Sequence, residues 1–139
     1  MSEMISITVS TTINASVDMV WKAWNTPDEI TKWYFASDDW HCPKAENELR
    51  MGGEFVFRME VKDGSFGFDF NGRYDEIILN EYICYSLLDG RRVRITFTDN
   101  GDSTTVSETF DAETENPIEM QRMGWQMILD NFKKHVEAN

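Results

Sequence analysis

The sequence has little of what would tie the protein to a disulfide scaffold or to a membrane. It contains only two cysteines, Cys42 and Cys84, in 139 residues, which favours a reducing compartment over a framework of disulfides. No apolar run approaches the eighteen or so residues that a membrane-spanning helix needs. The first residues, Met1 to Ser6, have neither the basic start nor the apolar core of a signal peptide. We therefore expect a cytoplasmic protein that is not inserted in a membrane.

Basic residues are scarce as well. Lys and Arg number 13 against 25 Asp and Glu, so the formal net charge is −12. A field of that sign repels phosphate backbones and anionic lipid headgroups. We therefore expect no nucleic-acid partner and no attachment to a bare membrane surface.

The motifs of cofactor enzymes are absent too. The sequence has no glycine-rich phosphate loop, no Cys-x-x-Cys pair and no Gly-x-Gly-x-x-Gly fingerprint, so we expect no cofactor. His41 and Cys42, with Asp38 and Asp39 close by, offer too few ligands for a metal site, at no recognised spacing. Any catalysis would be acid–base chemistry on a bound apolar molecule.

What the chain does have is a high share of aromatic residues, 13%, much of it in alternating patterns. Alternation predicts a first strand from Met4 to Ile13, and two short helices then follow around Trp21 and Ile30. The stretch from Phe35 to Met51 shows no clear period and is predicted as a long loop with room for one short strand. After it, five or six antiparallel strands between residues 54 and 110 are joined by turn signals such as Asp-Gly and Asn-Gly.

The last segment predicts one long helix from Pro117 to Ala138. Asn116 is the expected cap, with Pro117 at the first helical position and Glu119 completing a capping box; Ser16 and Thr26 are the expected caps of the short helices. A helix of about 22 residues is roughly 33 Å long, which matches a ten-residue strand. We predict an α+β fold in which a curved antiparallel sheet wraps around this helix, leaving a pocket where the two diverge.

Three motifs resemble the Hsp90 ATPase activator homologue-like family of the START-like (SRPBCC) superfamily. The first runs from Val20 to Pro27, the second is Gly52-Gly53-Glu54-Phe55, and the third begins at Gly124-Trp125. The resemblance extends over nearly the whole chain, so residues 1–139 are expected to form a single START-like domain with a helix-grip fold. It implies a deep apolar cavity. The eukaryotic namesake adds an N-terminal domain that contacts the chaperone, for which we expect no room in this chain.

Aromatic strand residues are the first candidates for a ligand site. Phe55, Phe57, Phe68 and Phe70 share one side of their strands, which is expected to be the concave face. They are interpreted either as a wall that stacks on an aromatic or lipid-like molecule or as plain core. Trp33, from the second short helix, is included in the predicted site.

Glu108 has the inward parity of its apolar neighbours Val106 and Phe110. A buried carboxyl group is costly unless it is paired, so Glu108 is interpreted as a ligand for a hydroxyl group or as a general base with a raised pKa. The alternative is a β-bulge or a strand end that turns it to solvent. Arg58, Arg92 and Arg94 are predicted to point outward in solvated salt bridges.

On the long helix, Gly124 costs about 1 kcal/mol relative to Ala in helix propensity. Either a close helix–sheet approach or space for a ligand would explain it. Met120 and Met127 lie on a second, flexible side of the helix and are assigned to the ligand site. Trp40, in the predicted loop, is interpreted as a gate to the cavity or as a surface anchor.

These observations favour a binding protein over an enzyme, with a small hydrophobic or aromatic ligand, lipid- or polyketide-like, between sheet and helix. One alternative is an enzyme of cyclase or hydrolase type that uses Glu108 as its acid–base residue. Another is a protein-interaction domain with a chaperone partner. A homodimer is also open, provided that Trp or Tyr side chains are exposed.

Overall fold

The computed structural model describes residues 5–138. Met4, where the predicted first strand begins, lies outside the described residues, as does most of the segment from Met1 to Ser6. The elements in chain order are β1 (Ser6–Ile13), α1 (Val17–Asn25), α2 (Pro27–Ile30), β2 (Trp40–Asn47), β3 (Glu54–Val61), β4 (Gly67–Ile78), β5 (Tyr82–Leu87), β6 (Arg92–Asp99), β7 (Thr104–Asp111) and α3 (Ile118–Glu137).

The seven strands form one antiparallel sheet in the order β1-β7-β6-β5-β4-β3-β2. Strands β2 to β7 pair in sequence order, while β1 pairs with β7, from Ser6 opposite Asp111 to Ile13 opposite Thr104. The turns at Gly64, Gly90 and Gly101 have φ angles of 80°, 93° and 93°, a region that glycine enters without the steric cost of a Cβ atom. The sheet curls around α3, which confirms the predicted helix-grip fold.

The two halves of α3 meet the sheet differently. In the C-terminal half, Leu129, Phe132 and Val136 are buried, whereas in the N-terminal half only Gln121 is. Along the helix, side chains also reach the edge strand β1: Lys133 Nζ donates to the carbonyl oxygen of Thr12 at 2.6 Å. The C-terminal half is therefore anchored in the core. The N-terminal half contacts the sheet through Trp125 and through hydrogen bonds of Arg122 and Gln126 to β1, and its side chains are mostly not buried.

An aromatic cluster connects the short helices to α3. The Trp24 ring lies 4.9 Å from Trp33 and 4.8 Å from Phe132, centroid to centroid. Trp33 is fully buried, and its Nε1–H donates to the carbonyl oxygen of Ala23 at 3.1 Å. This cluster fixes α1 and α2 over one end of the sheet.

The predicted caps agree with the structure only in part. Ser16 caps α1 as predicted, accepting a hydrogen bond from the Met19 amide. Thr26 makes no side-chain cap, because its hydroxyl donates instead to the Lys22 carbonyl oxygen at 2.6 Å. The Asn116 prediction is wrong by one residue: Pro117 occupies the cap position with extended backbone, and the helix begins at Ile118.

The predicted loop from Phe35 to Met51 contains the eight-residue strand β2, which pairs with β3. The register of this pair shifts between His41 and Lys44. A shift of this kind moves following side chains to the other face of the sheet, so β2 shows no continuous alternation in the sequence.

Trp40, Tyr82 and Trp125 are half-buried, and the other Trp and Tyr side chains within residues 5–138 are buried; the homodimer alternative stays a prediction. Across the described residues, no helix combines the length and the apolar composition needed to span a membrane.

Candidate functional site

A cavity of about 360 Å³ lies between the inner face of the sheet and the N-terminal half of α3, open to solvent on one side. It lies beside the Trp125 contact, where Gly124 carries no side chain to fill the space. Most of its lining is apolar or aromatic. The lining residues are Trp24, Tyr34, Ala36, Met59, Phe68, Phe70, Arg91, Glu108, Asn116, Met120, Gln121, Gly124, Trp125 and Ile128.

Two other clefts have similar volumes but a different character. One, of about 310 Å³, includes three carboxylates, from Glu46, Glu48 and Glu54. The other, of about 340 Å³, is lined mainly by polar side chains and includes Met127. Binding sites for small organic molecules are mostly apolar with a few placed polar groups, and the cavity under α3 has that composition.

Gly124 leaves open space above the cavity. A Cβ atom built at this position would meet no heavy atom within 4 Å, outside the local helix backbone. The alternative of a close helix–sheet approach is therefore wrong for Gly124, and the missing side chain contributes to the cavity instead.

Trp125 forms one wall of the cavity. Its ring stacks on Phe110 of β7 with a centroid distance of 4.0 Å and an interplanar angle of 11°. Phe70 of β4 meets the same ring edge-on at 6.0 Å. Such aromatic pairs contribute about 0.5–1.5 kcal/mol beyond their burial, so this wall is held in place from two strands.

Glu108 is a buried carboxyl group in the cavity lining, in which Gln121 is also buried. Strand β7 runs without a register shift, and Glu108 stands opposite Val9 on one side and Ile95 on the other. Only 4% of the residue is exposed. The alternative of a bulge or strand end that turns Glu108 to solvent is therefore wrong.

Burial raises the pKa of the Glu108 carboxyl group to about 8. No protein group within residues 5–138 hydrogen-bonds to it. Burial also raises the pKa of Tyr34 and of Tyr85 well above their ordinary values, and the Glu108 carboxylate adds to both shifts. At neutral pH Glu108 is therefore mostly a neutral carboxylic acid, able both to donate and to accept a hydrogen bond.

Arg91 is a cavity residue that the sequence interpretation missed. Its side chain lies at the mouth, 24% exposed, and its Nε atom pairs with Asp89 Oδ2 at 2.7 Å. The signal was present in the alternation of Val93, Ile95 and Phe97, which extends back to Arg91 with the same inward parity. The Asp89-Gly90 turn obscured it, because residues beside a turn are usually assigned to solvent.

Among the predicted site residues, Phe68, Phe70, Glu108, Met120 and Gly124 all line the cavity. Phe68 is 39% exposed and Met120 is 60% exposed, so both lie toward the opening.

The remaining predicted residues lie elsewhere. Trp33 is enclosed by the aromatic cluster, and Met127 faces the neighbouring cleft. Phe55 and Phe57 are buried among the tyrosines of the sheet: Phe55 packs against Tyr85 at 4.7 Å, centroid to centroid. The sheet curls at this end, so these inward-facing rings are covered by other side chains and do not reach the cavity.

Trp40 lies beside the cavity wall without lining it. Its ring contacts Phe68 edge-on at 6.1 Å. His41 Nε2 lies 3.7 Å from Glu60 Oε1. In the part of the chain that the structure describes, no group of three potential metal-binding side chains comes together.

The arginines predicted to point outward do so. Arg58 pairs with Glu60 at 2.8 Å and with Asp69 at 3.3 Å. Arg92 and Arg94 are exposed on β6. None of the three lines the cavity.

Solved structures with the same fold are numerous. A solution structure of an AHSA1-like protein from Aeromonas hydrophila is 42% identical, with a TM-score of 0.90, covering 96% of this chain and 93% of that one. A solution structure from Cytophaga hutchinsonii is 50% identical, with a TM-score of 0.83 and the same coverage of 96% and 93%. A crystal structure from Chromobacterium violaceum, 23% identical with a TM-score of 0.85, covers 96% and 98% and shows the fold alone.

No curated protein matches the chain significantly. Residues 14–137, which include both walls of the cavity, match the family described as Activator of Hsp90 ATPase homolog 1-like protein. The predicted resemblance is thereby confirmed, and this chain belongs to that family.

Proposed function

We propose that this protein binds a small hydrophobic or aromatic molecule, of lipid-like or polyketide-like character, in the cavity between the sheet and α3. The observation that carries the proposal is the mostly apolar space of about 360 Å³ beneath Gly124. Its volume lies at the lower end of the roughly 300–1,000 Å³ found for small-molecule sites. A ligand of modest size is therefore expected.

The body of the ligand would pack against Trp125, Phe70 and Ile128. Burying apolar surface there contributes roughly 25 cal/mol per Å². Glu108 would supply a directional contact, because a neutral carboxylic acid that has no hydrogen-bond partner among residues 5–138 pairs well with a hydroxyl or carbonyl group of the ligand. The arrangement combines a large apolar surface with a buried carboxyl group that would set the orientation of the ligand.

Binding can be tested with the fluorescent probe N-phenylnaphthylamine and with native mass spectrometry of the purified protein. We expect saturable probe binding at one site, and Gly124→Leu is expected to weaken it at least tenfold by filling the open space. Phe68→Ala is expected to weaken it as well, with little change in the melting temperature because Phe68 is 39% exposed. Met123→Leu is the matched control for Gly124→Leu, since Met123 lies on the same helix and is 63% exposed.

Two results would contradict the proposal. One is the absence of any probe binding or co-purified small molecule with the wild-type protein. The other is an equal loss of probe binding and of thermal stability in the Gly124→Leu and Phe68→Ala proteins, which would assign both positions to folding.

A second candidate function is acid–base catalysis of the cyclase or hydrolase type, supported by the buried Glu108 beside a cavity large enough for a substrate. A pKa of about 8 suits a general base near neutral pH. Binding is favoured over catalysis because the other titratable lining groups are poor partners. Tyr34 has a pKa raised well above its ordinary value by burial, and Arg91 is already paired with Asp89.

Catalysis is tested by incubating the species released in native mass spectrometry with fresh protein and following its mass. Conversion by the wild type and not by Glu108→Gln, with probe binding retained in both, would support an enzyme. Equal behaviour of the two proteins would remove Glu108 as the catalytic group.

A chaperone partner is the alternative that the family name suggests. With a net charge of −12, such an interaction would be expected to weaken as salt increases. A pull-down with the chaperone at low and at high salt tests this, and retention at neither salt concentration counts against a chaperone partner.

A further inference from the structure

Arg91 and Glu108, the basic and the acidic residue among the described lining residues of the cavity, stand at different positions along the sheet. In the ladder between β6 and β7, Val93 stands opposite Phe110 and Ile95 opposite Glu108. Extending this register places Arg91 opposite the position two residues beyond Phe110, four residues from Glu108 along the strand. At about 3.3 Å per residue the separation along the strand is roughly 13 Å. The stack of Trp125 on Phe110 lies between the two.

Glu108 and Arg91 differ in exposure as well as in position. Glu108 is 4% exposed and forms the floor, while the Arg91 side chain is 24% exposed at the mouth. Of the lining residues in the described chain, Arg91 alone carries a positive charge. From mouth to floor, the cavity therefore presents a cation, an aromatic wall and a buried carboxyl group.

The Arg91 guanidinium is held from one side only. Asp89 Oδ2 accepts from its Nε atom at 2.7 Å, and Asp89 Oδ1 accepts from the Arg91 amide at 3.1 Å. Within residues 5–138 no protein group hydrogen-bonds to its two Nη atoms. A guanidinium group fixed through Nε can offer its remaining donors to a carboxylate.

We propose that the cavity selects small carboxylic acids with an apolar or aromatic body, and that Arg91 binds the carboxylate at the mouth while the body lies along Trp125. This inference rests on the proposed binding function and specifies the ligand class. The net charge of −12 repels anions in general. Selective uptake of an acid therefore depends on the local contact with Arg91.

The test uses two ligands of equal chain length, decanoate and decanol, as competitors of N-phenylnaphthylamine at pH 7. The measured quantity is the ratio of their displacement constants, in which the contribution of the shared alkyl chain largely cancels. Replacing Arg91 with Met keeps an apolar stem and removes the donors. Hydrogen bonds to charged groups correspond to roughly tenfold or more in affinity, so Arg91→Met is expected to shift the ratio about tenfold toward decanol.

Two further variants make the test specific. Arg94→Met removes the same charge from the outward face of β6 and is expected to leave the ratio unchanged. Asp89→Asn removes the competing carboxylate and is expected to shift the ratio toward decanoate. This second variant also keeps the test decisive if Arg91→Met fails to fold, since it leaves Arg91 in place.

The outcomes separate this inference from the proposed function. If the probe does not bind wild-type protein and neither competitor does, the proposed function itself is wrong. If probe and competitors bind, but the ratio is the same in wild type, Arg91→Met and Asp89→Asn, the carboxylate assignment is overturned and the binding function stands. An equal shift in Arg94→Met would also overturn it, because general charge would then explain the preference.

Discussion

The burial of Glu108 predicts how the stability of the protein changes with pH. The pKa of this carboxyl group is about 8 in the folded protein, against an ordinary value of 4.5. Each unit of pKa difference corresponds to 1.36 kcal/mol, so the difference between these two pKa values corresponds to ~5 kcal/mol. This is the cost of ionising Glu108 in the folded state relative to the unfolded state.

The sign follows from which state holds the proton. Below pH 4.5 the Glu108 carboxyl group is protonated in both the folded and the unfolded state, so its titration does not lower the stability. Between 4.5 and about 8 the folded protein keeps the proton while the unfolded chain releases it, so stability falls by about 1.4 kcal/mol per pH unit. Above about pH 8 the folded group ionises as well, and the loss levels off.

Glu108→Gln removes this titration while keeping a neutral side chain of similar shape. The free energy of unfolding of both proteins would be measured by urea denaturation at pH 5, 6, 7 and 8, and the difference plotted against pH. Both proteins share every other titrating group. We therefore expect the free energy of unfolding of Glu108→Gln, relative to that of the wild type, to increase by roughly 1.4 kcal/mol for each pH unit.

Glu54→Gln is the matched control, since Glu54 is an exposed glutamate on β3 of the same sheet. A difference between wild type and Glu108→Gln that stays constant from pH 5 to 8 would refute the reasoning. It would mean that Glu108 reaches water or a partner in solution.

Three further substitutions give simpler expectations. Gly124→Ala is expected to raise the free energy of unfolding by up to about 1 kcal/mol, measured by urea denaturation, because nothing obstructs the added methyl group; destabilisation would show that the helix lies closer to the sheet. Trp33→Ala is expected to cost about 3–5 kcal/mol, seen as a large fall in melting temperature, and a stable protein would show that Trp33 is not core. Ser16→Ala is expected to cost about 1 kcal/mol through loss of the hydrogen bond to the Met19 amide; an unchanged urea midpoint would show that this cap contributes nothing.

Local patterns were sufficient for most of the fold. The alternation of Val93, Ile95 and Phe97 and the adjoining Asp-Gly and Asn-Gly turns specify β6 and its hairpins without reference to the rest of the chain, because strand period and turn chemistry are local properties. They failed for β2, where the register shift after His41 interrupts the alternation. They placed Thr26 correctly at the cap position of α2 but not its hydrogen bond, since the hydroxyl donates to a carbonyl oxygen one turn back.

The site likewise has features that local sequence patterns indicate and features that depend on the tertiary structure. Sequence parity alone indicated that Glu108 could face inward and that Gly124 removes volume from the helix. The parity of Phe55 is the same as that of Phe70, yet only Phe70 lines the cavity. Which inward-facing side chain meets empty space depends on how far the sheet curls and where the helix leaves it.

By itself, then, the sequence determined the order of strands and helices, the inward set of side chains and the family, because these depend on periodicity and on short motifs. Only the tertiary structure decided that a cavity opens between the N-terminal half of α3 and the inner face of the sheet, and that Arg91 and Glu108 both line it. Both depend on contacts between residues far apart in the chain, such as the burial of Leu129 and Phe132 in the core, and long-range packing of this kind has no local signature.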